Sequence, residues 1–266
     1  MLIKITNHCS LGCTHCMENS TVLGEHMTEA VFARALDFTR RAERIAWSLG
    51  CPPMILLSGG ECTEHPRVVQ FVEEVIAQRF VPVLLTNGMW LDDEELRSAV
   101  LRPGRPILVQ VTNDPRFYPR EPPEFRDERV VRVPALTHLI PLGRAARGRS
   151  ADAGVPPARA PSSFNLRSLT RSLGNFESAV AMLRVRTMQG LSGHCTPSIT
   201  EAGDVVAGET RECFRIGTVE SSMEEVTRNL IEMRCNRCGL VDGLSREYKR
   251  AIGELSITDA REEQRA

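Results

Sequence analysis

Five short runs of β-branched and aliphatic residues, near 2–6, 53–58, 81–86, 106–112 and 130–140, alternate with helical patterns near 28–48, 66–79 and 91–100. Such alternation favours parallel pairing of successive strands, because each helix carries the chain back across the sheet in a right-handed crossover. The first helical stretch sets Ala30, Ala33, Phe38, Ala42, Ile45 and Leu49 at helical spacing and enters through Thr28, whose hydroxyl suits an N-cap. Pro66 suits the first turn of the second helix. From Ala145 to Ser163 the chain reads AARGRSADAGVPPARAPSS, a long loop or linker, before a weaker strand-and-helix pattern from about 164 to 189.

The chain has 266 residues, 42% hydrophobic and 25% charged, enough for one sizeable core with an appendage. No run approaches the roughly 18 apolar residues of a membrane span, and no basic segment followed by an apolar one opens the chain. A cytoplasmic protein is expected. Its nine cysteines are then expected to be ligands or catalysts rather than disulfides, because that compartment keeps thiols reduced. A net charge of -1 gives no reason to expect nucleic acid. Residues 101–190 nevertheless hold 15 Arg against 7 Asp and Glu, a local balance of +8, whose plainest use is a solvated surface.

The first strand runs directly into CSLGCTHC, residues 9–16. In a parallel βα array, sites gather at the C-terminal ends of the strands, where the loops emerge. Cys9, Cys13 and Cys16, with Gly12 among them, make a loop able to wrap a compact metal centre. A closed zinc site needs four ligands, and only His8 and His15 stand close enough in sequence to supply a fourth. A four-iron cubane needs four ligands as well. Three thiolates leave one iron open, and an open position is what a metal needs to act on a substrate.

CxxxCxxC after a first strand, followed by LSGGECTEHP (57–66) after a second, resembles the radical S-adenosylmethionine (radical SAM) enzymes over about residues 1–190. The resemblance implies a partial (β/α)6 TIM-like barrel, an α/β fold, as a core domain of residues 1–190. It also implies a 4Fe-4S cluster held by Cys9, Cys13 and Cys16, whose open iron chelates S-adenosylmethionine. Reductive cleavage of that cofactor would give a 5'-deoxyadenosyl radical, with an electron donor such as flavodoxin or ferredoxin.

His15 fills the family's aromatic position before the last cysteine, and Ser58, Gly59, Gly60 and Glu61 form the glycine motif. The glycines would allow close backbone approach to the cofactor, and Glu61 would meet its ammonium. Thr86 and Asn87 end the third strand, near the expected ribose; Thr112 and Asn113 end the fourth. Arg144, in IPLGRA (140–145), resembles a stretch near the adenine and carboxylate. Plainer uses stand beside these: TNG is a common turn, LGRA a helix start, and His15 a loop residue facing solvent. Cys62 departs from the proline frequent in the family and reads as a small buried filler, with a thiol hydrogen donor as the sharper alternative. Cys51 reads as structural.

Cys195, Cys213, Cys235 and Cys238 remain. Their arrangement resembles the SPASM extension, or its shortened form twitch, which implies a small α+β cluster-binding domain over 191–266 and a second, auxiliary 4Fe-4S cluster with all four as ligands. CTPSITEAGDVVAGETREC reads as a β-hairpin turning at Ala202 and Gly203, followed by a helix near 221–233. A four-cysteine zinc knuckle fits the spacing too.

The extension implies a peptide or protein side chain as substrate. A small-molecule substrate is the enzyme alternative, and an iron-sulfur electron-transfer or sensing protein the non-enzymatic one. With the first cluster cysteine at residue 9, no leader-binding module is expected before the core. A peptide would then be recognised by a partner protein, the extension or the arginine-rich segment, with Arg120, Arg126 and Arg129 as candidate contacts to an acidic peptide.

Overall fold

The expected β-rich runs form strands, and the first five pair in parallel in their order along the chain. The computed structural model describes residues 1–42, 54–113, 118, 120–134, 143–147 and 197–232. The elements are β1 (Leu2–Thr6), α1 (Glu29–Ala42), β2 (Met54–Gly59), α2 (Val68–Ala77), β3 (Val81–Thr86), α3 (Glu94–Val100), β4 (Leu108–Asn113), β5 (Val130–Pro134), α4 (Gly143–Arg147), β6 (Ser198–Ile199), β7 (Asp204–Val206), β8 (Arg215–Thr218) and α5 (Met223–Glu232). They build one sheet in the order β5-β4-β3-β2-β1-β6-β7-β8, parallel from β5 to β6 and antiparallel from β6 to β8. The fold is α/β with a parallel-rich sheet.

Alternation along the strands sorts side chains between two apolar layers. Ile3, Ile5, Ile55, Leu57, Leu84 and Val109 share a core with Phe32, Leu36 and Phe38 of α1 and with Phe71, Val72 and Val75 of α2. Phe32 and Phe71 stack at a ring separation of 3.9 Å. On the other face, Leu2, Met54, Leu56, Val81, Val83 and Leu108 form a second cluster. Burial on both faces explains why these strands read as near-continuous apolar runs.

Helix boundaries follow local chemistry. Thr28 caps α1 as expected, its Oγ1 accepting the Val31 N–H at 3.3 Å. The second helix starts later than Pro66: Arg67 is its N-cap residue, and its N–H donates to Nδ1 of His65 at 3.0 Å. The expected helix 91–100 is split, because Asp93 accepts the Leu96 N–H at 2.9 Å and starts α3 after a 3₁₀ turn, Met89–Asp92. The expected helical and strand residues 43–48, 53 and 135–140 lie outside the described residues.

The C-terminal hairpin turns where expected, with Gly203 at φ +86. Local periodicity did not reveal that β6 pairs with β1, Leu2 opposite Ser198, so that 198–218 extends the same sheet. A strand of two residues is too short to show alternation.

Several arginines of the basic segment serve the fold. Arg105 donates to the Ala99 carbonyl at 2.6 Å and to Glu73 at 2.8 Å. Arg129 donates to the carbonyls of Leu101 and Arg102 just beyond α3, and to both oxygens of Asp127 at 2.8 and 2.6 Å. Arg129 is therefore a staple beneath β5, not a side chain turned outward for an acidic peptide, whereas Arg120 and Arg126 are exposed. Its guanidinium holds the Asp127 carboxyl below the usual range. A depressed carboxyl contributes stability above the ordinary pKa of about 3.9 and loses it as pH falls through the folded value. Asp127→Asn is expected to lower thermal stability at pH 7 and to remove this share of the acid-induced decline, as melting temperatures from pH 7 to pH 3 would show.

Candidate functional site

At the C-terminal end of β1 the register with β2 slips: Lys4 lies opposite Ser58, but Thr6 lies opposite Gly59. This bulge re-aims the chain as it enters the cysteine loop. The loop is then fastened on two sides. On one, the Asn7 and Cys9 N–H groups donate to Glu25 and Thr21 at 2.8 and 3.0 Å. On the other, the Gly60 and Glu61 N–H groups donate to the Thr6 and His8 carbonyls, both at 2.9 Å. Glycine is required here because the two backbones touch: a Cβ on Gly59 would lie 2.1 Å from the Thr6 oxygen, and one on Gly60 2.2 Å from the His8 oxygen. The close approach expected of these glycines is made to the cysteine loop.

Cys9 and Cys13 are buried and Cys16 half-buried. Burial pushes the Cys13 thiol up to about 11, reinforced by the charges of Cys9 and Cys16 and opposed by its own backbone N–H and Arg144. Burial likewise raises Cys9, with Glu64, Glu61 and Cys16 adding to it. A positive centre nearby would favour the thiolate of Cys13 against these effects. Among the described residues, no three His, Cys, Asp or Glu side chains converge on a single metal ion. Thiolate sulfur is the donor that iron-sulfur centres take, so three cysteines on one loop fit such a centre by their chemistry.

Glu61 is 3% exposed. Its Oε1 accepts the Thr63 N–H at 3.1 Å and the hydroxyls of Thr63 and Thr86, both at 2.7 Å; its Oε2 accepts the Asn87 N–H at 2.8 Å. Burial nonetheless raises its pKa, the hydrogen bonds opposing this. Among the described residues no cationic side chain pairs with it, and an approaching ammonium would favour the charged form. Its bonds also tie β2 to β3, so more than a ligand contact depends on it. Glu61→Gln would turn an amide NH₂ toward donors, and a loss of about 1–3 kcal/mol is expected from a denaturant titration without any ligand.

Thr86 and Asn87 thus stand beside Glu61, while Ser58 and Thr112 are half-buried at the ends of β2 and β4. His15 lies 5.0 Å from Tyr118, ring to ring. Arg144 reaches the cysteine loop itself: its N–H donates to the Cys16 carbonyl and its Nε to the Cys13 carbonyl, both at 2.9 Å, and its Nη1 to that of Ser20 at 2.6 Å. It clamps the loop that carries the thiols. Cys62 is fully buried, with Sγ 3.3 Å from the Leu85 carbonyl, which matches a filler. Cys213 is half-buried, 3.4 Å from the Thr210 hydroxyl, and Cys51, Cys195, Cys235 and Cys238 lie outside the described residues.

Sequence pattern missed other members of the neighbourhood. The Tyr118 phenol is raised by burial first and then by Cys13, Glu61, Cys9 and Cys16, which puts it beside the thiols and the glycine motif. It belongs to an aperiodic loop, so no spacing marks it. Lys4, 2% exposed on β1, donates to the Glu18 carboxylate and the Glu209 carbonyl, and Glu18 also accepts the Arg211 N–H at 3.1 Å. The cysteine loop and the segment bearing Cys213 therefore share one carboxylate. A lone lysine in an apolar strand was the available signal. No described helix is long and apolar enough to cross a membrane.

Residues 3–103 match the family model described as the Radical SAM superfamily. A similar solved structure is the crystal structure of BtrN in complex with AdoMet and 2-DOIA. It aligns over 85% of this chain and 80% of its own, with 13% identity and a TM-score of 0.48. Comparison with curated protein sequences finds no match.

Proposed function

We propose that this chain, whose residues 3–103 carry the Radical SAM superfamily match, is an enzyme that reductively cleaves S-adenosylmethionine to start radical chemistry on a peptide or protein side chain. The observation that carries the proposal is the juxtaposition, at the C-terminal ends of adjacent parallel strands, of three thiols on one loop with a buried carboxylate that no cationic side chain among the described residues pairs with. Cys9, Cys13 and Cys16 would hold the cluster, which when bound supplies the electron that breaks a carbon-sulfur bond of the sulfonium.

The chain's own groups do the rest. Glu61 offers its charge to the cofactor's ammonium, and Thr86 and Asn87 fix that carboxylate. Arg144 orders the loop through its carbonyls, a positioning role beside the expected place near the cofactor's adenine and carboxylate. His15 and Tyr118 border the site with aromatic surface, and Ser58 and Thr112 present hydroxyls near it. The sequential strand order from β1 to β5 is that of a barrel wall and supports a partial barrel.

Cys195, Cys213, Cys235 and Cys238 would bind the auxiliary cluster in an extension. That resemblance favours a peptide substrate, for which the exposed Arg120 and Arg126 remain candidate contacts while Arg105 and Arg129 bind the chain's own groups. An electron donor such as flavodoxin or ferredoxin and a cytoplasmic location complete the proposal. Anaerobically reconstituted, reduced protein is expected to convert S-adenosylmethionine to 5'-deoxyadenosine. A cluster-loaded protein that yields none would instead be an electron carrier or sensor.

A further inference from the structure

Glu64 touches both chain neighbours of Cys9. Its Oε2 accepts the Ser10 N–H at 2.9 Å and stands 2.8 Å from Nδ1 of His8, while its Oε1 accepts the Ser10 hydroxyl. The carboxylate is delivered by the 3₁₀ turn Cys62–Glu64, which Glu61 caps and the His65 N–H closes on the Cys62 carbonyl at 3.2 Å. Its side chain is 24% exposed, so solvent screens it only in part.

The reduced form of an iron-sulfur cluster carries the extra negative charge. Hydrogen bonds donated to its sulfurs favour reduction, and a nearby carboxylate opposes it. We propose that Glu64 is a positioning residue that occupies the Ser10 N–H next to Cys9, keeps a negative charge against both chain neighbours of that cysteine, and so holds down the reduction potential of the cluster ligated there. The inference rests on the proposed function, because it needs a redox cluster on Cys9. A low potential suits a centre that must pass an electron to a sulfonium.

The test is a potentiometric titration of the full chain, reconstituted anaerobically, as wild type, Glu64→Ala, Glu64→Gln and Glu64→Asp. The signal perturbed by added S-adenosylmethionine identifies the cluster in question. Glu64→Ala is expected to raise the reduced-to-oxidised ratio at a fixed potential about threefold, an upward shift of about 28 mV at 59 mV per tenfold. Glu64→Gln, which retains an oxygen for the Ser10 N–H but no charge, should shift less in the same direction. Glu64→Asp should lie nearest wild type.

Unchanged midpoints in Glu64→Ala and Glu64→Gln at full iron content would overturn the inference. If Glu64→Ala fails to hold a cluster, Glu64→Gln decides alone. Wild-type protein that takes up no iron would reject the proposed function instead, so the two failures are distinguishable.

Discussion

Cys13→Ala protein, reconstituted with iron and sulfide, should lack the open-site cluster and form no 5'-deoxyadenosine above a protein-free control. Each thiolate of the proposed set would hold one iron, so removing one would expose a corner to solvent and leave the buried Cys9 and half-buried Cys16 without the charge that favours thiolates. The Cys13 thiol is raised by burial first and then by both Cys9 and Cys16. Iron should fall by about four atoms per chain, the content of one cubane. Iron on the auxiliary cysteines should survive, and a circular dichroism spectrum matching wild type would exclude unfolding. Retained 5'-deoxyadenosine formation would refute the assignment of these cysteines; zinc in place of the surviving iron would refute the auxiliary cluster alone.

Gly59→Ala should be among the most destabilising single changes in the core. Its φ is +147, a region that side chains rarely enter, and the new Cβ would lie 2.1 Å from the Thr6 oxygen, a backbone atom held by the Gly60 N–H. Neither partner has a flexible end that could yield. A loss of about 3 kcal/mol or more is expected, or roughly 6–12 °C in melting temperature for a chain of this size. Gly104→Ala is the control: φ is +75, but nothing lies within 4 Å of its Cβ, so only backbone strain of about 1–2 kcal/mol applies. Equal effects of the two substitutions would show that the strand end and the cysteine loop yield to the new methyl group without cost.

Strand-helix alternation, the Thr28 cap, the turn at Gly203 and the helix near 221–233 were legible because each is encoded by residues a few positions apart. So was the place of the three cysteines at the end of the first strand, since motif and strand adjoin in the chain. Other features join distant residues through contacts that leave no periodic trace. The Gly59–Gly60 segment lies on the Thr6–His8 backbone, and Arg144 holds the carbonyls of Cys13, Cys16 and Ser20. Two residues of β6 lengthen the sheet beyond β1, and Glu18 joins Lys4 to the Arg211 backbone across 193 positions. In each case at least one partner is a backbone N–H or carbonyl, which every residue but proline can supply in full. Sequence by itself determined the order of elements and the chemistry available at the end of β1; only the tertiary structure decided which backbone groups hold that chemistry in place, because such partners are chosen by proximity and not by side-chain identity.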